Sequence, residues 1–442
     1  METFLLHNAC MVTQDDQRLI LQGSLSVIEG RIAEIGERVA PVSGPAYDFQ
    51  GDYLIPGLIQ SHVHLCQTLF RHQAEGLPLM RWLQERIWPL EAALDEETLR
   101  VSAELGVAEL LLSGTTCLLD MGTVHHQDVI GEVVEASGIR AALGKAMMDS
   151  GQGVPSGLRE TTRESLDESM RLARRWDGAD SGRIRYAFAP RFVLACSADL
   201  QREVGRLSQQ HGYLIHTHSS EHPMELEIVQ RQMGGRNVEV LDSLGMCGQR
   251  SVFAHGVHLD DAERRLLART RTSICHCPSS NLKLGSGVAD LPALFDAGVN
   301  VGIGADGAAC SNHLDGLVEM RLAHLLQNPK HGPGSVAPQT VLDMATRNGA
   351  RALRWQDRVG SLEPGKDADL VRIRRNDFRL GLGSDPLTEI VTAASRSLVR
   401  DVWVRGRHLV RGGQLTCMDQ ARLLQHGKEA LAKTLRRAGL AG

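Results

Sequence analysis

The pair His62-Val63-His64, at the end of the apolar run Tyr53–Gln60, constrains this chain more than any other feature. In an extended segment, residues i and i+2 point to the same side, so both imidazoles can face one point just past a buried strand. Two such imidazoles suit a single metal ion. One His-x-His pair is weak evidence alone, but further polar groups also follow short apolar runs: His218-Ser-Ser-Glu221, Phe253-Ala-His255 and Gly304-Ala-Asp306-Gly307.

Composition narrows the class of protein. The chain has 442 residues, of which 42% are hydrophobic, which is enough for one large domain and a smaller one. Forty-eight basic residues against 53 acidic ones give a net charge of -5, so we expect no nucleic-acid partner and no anionic membrane surface. The apolar runs are too short to span a bilayer, and the N-terminal residues lack the pattern of a secretory signal. Nine unpatterned cysteines predict a cytoplasmic protein without disulfides.

The middle of the chain alternates short β-rich runs with helical segments. The helical segments include 96–113, 166–176, 200–211 and 260–269. The candidate strands are 54–62, 115–120, 139–148, 183–190, 213–219, 251–256, 272–277 and 299–305. This order predicts an α/β fold with a distorted (β/α)8 TIM barrel rather than a doubly wound open sheet. In a barrel, polar residues at the ends of strands one, five, six and eight meet around one mouth, whereas an open sheet would spread them along a row.

The two ends of the chain read as β structure. Short alternating segments near 19–28, 30–36 and 47–49 resemble those at 367–374 and 402–410. We therefore predict a small β-sandwich domain built from both termini, with a helical tail at Met418–Ala438. The expected domains are residues 1–56 plus 358–442 for this composite β domain, and residues 57–357 for the catalytic barrel.

Four residues are predicted to bind one metal: His62, His64, His218 and Asp306. Three imidazoles and one carboxylate suit Zn²⁺, with Fe²⁺ as an alternative. Such an ion lowers the pKa of a bound water towards about 7. His216 could also face the mouth, but His218 is preferred because Glu221 follows it by three residues. We expect one metal per subunit, since strand four lacks the lysine that bridges two metals in some barrel hydrolases and Lys145 lies on strand three.

Two further side chains are candidates for catalysis, together with Asp306. Glu221 is the expected proton shuttle between water and a leaving amine, and His255 is expected to orient the water and polarise the reacting centre. Glu225 and Glu227 are expected to be solvated surface residues, and His216, His258 and His276 to be structural. Cys275-His-Cys277 has the wrong spacing for a zinc knuckle and is interpreted as a strand end.

With these residues in place, the chain resembles the amidohydrolase superfamily, and within it the mononuclear deaminases of aminated heterocycles. The motifs that carry the resemblance are Pro56–His64, His218–Glu221, Cys277–Leu284, Gly304–Ala308 and Gly360–Leu370. The resemblance implies a distorted barrel beside a small β domain. It also implies hydrolytic release of ammonia, with the roles given above for the six site residues.

The sequence combines motifs that resemble two different subgroups of these deaminases. Gln67, Pro190-Arg191-Phe192, Gly144–Asp149 and Glu160–Ser165 resemble guanine deaminases, in which an amide and a guanidinium can bind a purine edge and Phe192 can stack. A second set of segments resembles deaminases of 5′-deoxyadenosine, methylthioadenosine and S-adenosylhomocysteine. These segments are Leu77–Trp82, Ile87–Glu91, Ala305–Asn312 and Glu319–Ala323. In the second group Glu91 would accept hydrogen bonds from ribose and Trp82 would pack on the nucleoside. Arg191 replaces the histidine that is common in S-adenosylhomocysteine enzymes, and Ala305 stands where threonine is usual.

The leading hypothesis is a metal-dependent aminopurine deaminase acting on a 5′-modified adenosine, with guanine as the alternative. Deamination of pterins, 8-oxoguanine or triazines, or dechlorination of triazines, is a wider alternative. A scaffold protein on the same fold is disfavoured because all six site residues are present. By analogy with similar enzymes, we expect a homo-oligomer, a dimer or larger.

Overall fold

The structure is a computed structural model that describes residues 2–383 and 385–440. Its strands in chain order are β1 (Phe4–Val12), β2 (Ile20–Ile28), β3 (Arg31–Gly36), β4 (Ala46–Asp48), β5 (Tyr53–Pro56), β6 (Leu58–His64), β7 (Thr115–Asp120), β8 (Arg140–Met147), β9 (Ile184–Pro190), β10 (Leu214–Ser219), β11 (Ser251–His255), β12 (Ser273–His276), β13 (Val301–Ile303), β14 (Asp306–Gly307), β15 (Leu370–Ile373), β16 (Val399–Val404), β17 (Arg407–Arg411) and β18 (Gln414–Leu415).

The α-helices of five residues or more follow the same convention. They are α1 (Trp88–Ala92), α2 (Glu96–Leu112), α3 (Gln127–Ser137), α4 (Thr162–Trp176), α5 (Ala198–His211), α6 (Pro223–Met233), α7 (Asn237–Ser243), α8 (Asp261–Thr270), α9 (Pro278–Lys283), α10 (Leu291–Asp296), α11 (Gly316–Leu325), α12 (Pro338–Asp343), α13 (Pro386–Thr392) and α14 (Gln420–Arg437). A helical turn at Leu79–Trp82 continues through a π-helical turn at Leu83–Ile87 into α1.

Eight parallel strands, β6 to β13 in sequence order, form a closed barrel. The barrel closes where β13 pairs with β6, with Ile303 opposite Gln60. The short strand β14 adds to the far end of β6, with Asp306 opposite Val63. Buried apolar side chains from these strands and from the surrounding helices make the main core. The predicted (β/α)8 barrel is therefore confirmed.

Strands from both ends of the chain pair in a second sheet, in the order β18-β17-β16-β15-β5-β1-β2-β3, with β4 beside β1. The additional terminal β structure is therefore also confirmed, although the exact domain boundaries remain a prediction. The sequence interpretation did not single out β1, and its single segment at 402–410 is two strands joined by a turn. Arg405 and Gly406 both have positive φ in that turn.

The predicted strand 54–62 is also two strands, because the chain leaves the terminal sheet at Pro56 and enters the barrel at Leu58. Gly57 lies at this transition, and a Cβ there would come within 2.0 Å of Thr116 Oγ1. A glycine at this position leaves room for the Thr116 side chain against the backbone. This crossing places the end of β6, with its two histidines, at the C-terminal mouth of the barrel.

A buried ion cluster joins the other end of the barrel to the terminal domain. Arg140 begins β8 and is fully buried; its Nε donates to Asp369 Oδ2 at 2.9 Å and its Nη2 to Asp367 Oδ2 at 2.8 Å. Asp367 and Asp369 directly precede β15 of the terminal sheet. The motif Gly360–Leu370 thus supplies carboxylates that hold the two sheets together. Among the described residues, no helix is both long enough and apolar enough to cross a membrane.

Candidate active site

The four predicted metal ligands converge at the C-terminal mouth of the barrel. His62 and His64 lie on β6, His218 lies on β10 and Asp306 begins β14. One ligand atom from each residue lies within 4.8 Å of the others. Residues separated by more than 240 positions therefore meet at one point, because parallel barrel strands all end on the same face.

The hydrogen-bond network assigns the tautomers of two of these histidines. His216 Nδ1 lies 3.0 Å from the carbonyl of Val252, which can only accept, so His216 Nε2 carries the lone pair. His62 Nδ1 lies 2.7 Å from that nitrogen and donates to it. His218 Nδ1 donates to the carbonyl of Arg191 at 2.6 Å. Both ligand histidines therefore present an Nε2 lone pair to the centre of the site.

These lone pairs face other acceptors. His62 Nε2 lies 3.0 Å from Asp306 Oδ1, and His64 Nε2 lies 3.3 Å from the same oxygen and 3.3 Å from His218 Nε2. Buried acceptors in contact repel one another unless a cation lies between them. Ligands at about 2.0–2.1 Å from a tetrahedral zinc lie about 3.3 Å apart. The donor set, its spacing and its tautomers therefore fit one divalent metal ion.

Glu221 and His255 lie beside this centre. Glu221 Oε2 is 3.5 Å from His255 Nε2, and His255 Nε2 is 3.9 Å from Asp306 Oδ2. Glu221 follows β10 and His255 ends the adjacent strand β11, where Ser219 lies opposite His255. The structure thus brings together all three residues that were predicted to be catalytic.

Burial controls the protonation of these groups. Burial raises the pKa of the Glu221 carboxyl well above its usual range, and the charges of Asp306 and Glu225 raise it further. Burial lowers the pKa of His255 to about 3, so this ring is neutral. Burial alone would raise the pKa of Asp306, but the adjacent His62 and His64 hold it well below its usual range. Glu221 is thus suited to carry a proton, and Asp306 remains a carboxylate.

The backbone is strained at the site. Ser220, His255 and Asp306 have φ angles of 55°, 77° and 62°, in the left-handed region that residues other than glycine rarely adopt. Each such residue costs about 1–3 kcal/mol and persists only where surrounding contacts enforce it. Ser220 and His255 lie at the ends of the neighbouring strands β10 and β11, and Asp306 begins β14 beside β6, so all three strained residues lie at the mouth.

Two residues missed by the sequence interpretation support the site from α9. Ser280 Oγ donates to Asp306 Oδ2 at 2.7 Å, and Asn281 Nδ2 lies 2.9 Å from His255 Nδ1. Both belong to the motif Cys277–Leu284, which carried the family resemblance but was given no role. A buried Ser-Asn pair directly after a barrel strand was the signal that could have identified them.

The expectation that Glu225 is solvated is wrong. Its side chain is only 2% exposed, its Oε2 accepts the backbone N–H of Glu221 at 2.9 Å, and Asn237 Nδ2 donates to its Oε1 at 2.5 Å. Burial raises the pKa of Glu225 to about 7. Glu227 is exposed, as predicted. Glu225 lies in the first turn of α6, which begins just after Glu221. Its carboxylate can therefore hold the backbone of Glu221.

The structural roles expected of His216 and His258 agree with their contacts. His216 supports His62, and His258 Nε2 lies 2.6 Å from the carbonyl of Ser286. His276 and both cysteines beside it are buried in and just after β12. Lys145 forms a buried ion pair with Glu160 on the third barrel strand, away from the four metal ligands.

A pocket that is partly open to solvent lies over the site. Its apolar wall contains Leu79, Trp82 and Leu83 from the helical segment before α1, together with Phe192 and Leu284. Its polar wall contains His64, Gln67, Arg191, His218, Glu221, Glu225, Asp306 and Cys310.

Glu91 lies behind this wall rather than free in the pocket. Arg191 Nη1 donates to Glu91 Oε2 at 2.5 Å, Arg191 Nη2 donates to Oε1 at 3.0 Å, and Gln67 Nε2 donates to Oε1 at 2.8 Å. Gln67 Oε1 and Trp82 Nε1 are buried without a partner within the described part of the chain. Four of the five predicted substrate contacts therefore line the pocket, and Glu91 orders two of them.

Comparison with known proteins agrees with this geometry. Residues 53–409 match the family model described as "Amidohydrolase family". The chain belongs to the amidohydrolase family. A 5′-deoxyadenosine deaminase from Methanopyrus kandleri is 38% identical over 86% of each chain. A 5-methylthioadenosine/S-adenosylhomocysteine deaminase from Thermococcus onnurineus is 36% identical over 93% of this chain and 95% of its own.

A solved structure extends the likeness to the whole fold. The crystal structure of an adenosine deaminase from Xanthomonas campestris with bound zinc superposes with a TM-score of 0.92 at 32% identity, covering 98% of each chain. The residues that converge at the barrel mouth therefore lie on a scaffold that carries zinc in a related protein.

Proposed function

We propose that this amidohydrolase is a metal-dependent deaminase that releases ammonia from an aminated purine, with a 5′-modified adenosine as the substrate. The observation that carries the proposal is the convergence of four metal ligands, Glu221 and His255 at the barrel mouth, beneath a pocket that His64, His218, Glu221 and Asp306 line. The names of the related enzymes from Methanopyrus kandleri and Thermococcus onnurineus support 5′-deoxyadenosine, methylthioadenosine or S-adenosylhomocysteine as candidates.

In this mechanism His62, His64, His218 and Asp306 hold one ion, with Zn²⁺ preferred and Fe²⁺ as the alternative. When bound, the metal polarises water and lowers its pKa towards neutrality. Zinc in the adenosine deaminase from Xanthomonas campestris supports this choice. The three Nε2 lone pairs and one carboxylate oxygen form the type of donor set that such ions prefer.

The proton moves through Glu221. Its carboxylate takes one proton from the attacking water and passes it to the ring nitrogen beside the amine-bearing carbon. It then takes the second proton from the added hydroxyl and passes it to the leaving amine. Water adds to that carbon, the C–N bond breaks, and ammonia leaves a carbonyl in its place. The neutral His255 ring donates from Nε2 to the oxygen that is being added, which stabilises charge in the transition state.

The purine itself is held by other residues of the pocket lining. Phe192 and Trp82 offer aromatic faces for the ring, while Gln67 and Arg191 offer hydrogen bonds to its polar edge. Glu91 aligns both of these side chains through three hydrogen bonds. The unpartnered Trp82 Nε1 and Gln67 Oε1 supply one donor and one acceptor for the ligand.

Guanine is the second candidate because of Arg191 and Gln67. The bidentate bond to Glu91 leaves the remaining guanidinium and amide atoms to complement the edge of an oxopurine. If guanine is the substrate, Glu91 only aligns Arg191 and binds no sugar. Pterins, 8-oxoguanine and triazines are wider alternatives that use the same chemistry.

Ammonia release from a substrate panel tests the proposal. We expect 5′-deoxyadenosine, methylthioadenosine or S-adenosylhomocysteine to give the highest kcat/KM, with guanine, 8-oxoguanine, pterins and triazines well below. Turnover of guanine with inert adenosine analogues would contradict the preferred substrate but not deamination. The absence of ammonia from every purine, with one metal per chain present, would contradict the proposed function.

We further propose that the enzyme works in the cytoplasm as a homo-oligomer. Nine free cysteines, most of them buried, support a reducing compartment. The support for an oligomer is the analogy with similar enzymes, and light scattering on the purified protein tests it.

A further inference from the structure

One helical turn touches two of the proposed catalytic groups. Ser280 and Asn281 are neighbours on α9, yet the first donates to Asp306 on β14 and the second contacts His255 on β11. Both side chains are buried, with exposures of 0% and 1%. Asn281 therefore lies where it can control the ring of His255, whereas Ser280 controls a metal ligand.

The opposite side of the His255 ring determines which nitrogen carries the proton. Nε2 lies 3.5 Å from Glu221 Oε2 and 3.9 Å from Asp306 Oδ2. The Asp306 carboxylate on this side, and Glu221 whenever it is ionised, favour N–H at Nε2, because a lone pair there would face negative oxygens. In a neutral ring, this leaves Nδ1 as an acceptor, and Asn281 Nδ2 is the donor that faces it at 2.9 Å.

We propose that Asn281 is a positioning residue that holds His255 in the tautomer with its proton on Nε2, by donating from Nδ2 to Nδ1. The inference rests on the role of His255 in the proposed function. In this tautomer His255 aims a donor at the reacting centre. The other tautomer aims a lone pair at the same place and cannot stabilise a developing negative charge.

The substitution N281D separates this role from simple packing. It keeps the size of the side chain but replaces the donor with an acceptor, so it favours a proton on His255 Nδ1. N281A removes the contact and leaves the tautomer free. We expect kcat to fall about 10–100-fold in N281A and about 10³-fold or more in N281D, with little change in KM for either.

A readout that does not depend on activity completes the test. Selective ¹⁵N-histidine labelling, with the His255 signals assigned through H255Q, reports the tautomer in the metal-loaded enzyme. We expect Nδ1 to be unprotonated and Nε2 protonated in the wild type, and the reverse in N281D. L282A is the matched control, since this neighbour on α9 is 44% exposed and should leave both readouts unchanged.

Metal analysis accompanies every variant, so that a loss of the ion is not mistaken for a change of tautomer. A proton on Nδ1 in the wild type would overturn the inference, even if N281D failed to fold. So would an N281D variant as active as N281A or more active. If the tautomers behave as expected but no purine releases ammonia, the positioning role stands and the proposed function fails.

Discussion

The barrel buries a cluster of charged and polar groups at each end, and the two clusters are satisfied in opposite ways. At the N-terminal end, Arg140 meets the carboxylates of Asp367 and Asp369, so that each charge has an opposite partner. At the C-terminal end, imidazole lone pairs face each other and the Asp306 carboxylate. The first cluster is complete as protein alone, whereas the second needs a cation. The comparison distinguishes a cluster that stabilises the fold from one that is built for chemistry.

The largest expected effect comes from the C-terminal end. Replacement of Glu221 by Gln keeps the size of the side chain but removes the proton carrier. We expect kcat/KM for deamination to fall by about 10²–10⁴-fold, while the metal content and the free energy of unfolding stay near wild type. Steady-state kinetics measure kcat/KM, and metal analysis measures the bound ion. A fully active E221Q enzyme would show that Glu221 does not carry the proton.

The N-terminal cluster should give the reverse pattern. Arg140→Ala leaves the buried carboxylate of Asp369 without its cationic partner, while Asp367 keeps Arg358. The loss should lower the free energy of unfolding by about 3–5 kcal/mol. The kcat of the folded fraction should not change. Arg38→Ala is the control: it removes an exposed arginine of the terminal sheet, with an expected effect within about 0.5 kcal/mol. Denaturant unfolding tests the comparison, which fails if R140A is as stable as R38A.

His216→Ala should have a smaller effect, confined to the metal. His216 Nε2 accepts from His62 Nδ1 and so orients that ligand. We expect metal affinity to fall about 10–100-fold, while kcat at saturating metal stays close to wild type. Metal titration with a competing chelator measures the affinity. An unchanged affinity would show that the barrel alone orients His62.

Much of the fold could be predicted because each barrel strand is a short apolar run between helical segments. The strands at 115–120 and 251–255 agree with prediction to within one residue. One site departed from the pattern. Hydrophobic periodicity does not detect the change of sheet at Gly57, because both strands that it joins are buried on both faces.

The metal ligands could be predicted because they lie near the ends of buried strands. A polar side chain buried there is unfavourable unless it has a binding partner. Glu225 could not be predicted in this way. It stands on a helix beside exposed residues, and its burial depends on Asn237, which is 12 positions away. Its inward direction is a tertiary property that the local sequence does not contain.

The substrate wall shows the same limit. Gln67, Glu91 and Arg191 were each predicted to contact the substrate separately, from motifs of two different subgroups. In the structure they contact one another, and Glu91 and Arg191 are 100 positions apart in the chain. A motif therefore identifies which residues reach the pocket but not which of them are already paired.

The most direct test of the account is the metal stoichiometry of the purified protein, measured by elemental analysis before and after reconstitution with zinc. We predict one ion per chain, and its loss from a double variant that replaces His62 and His64 by Ala, with the fold retained by circular dichroism. A reconstituted wild type that holds no ion, or a double variant that still holds one, would contradict the assignment of these histidines and the mechanism built on them.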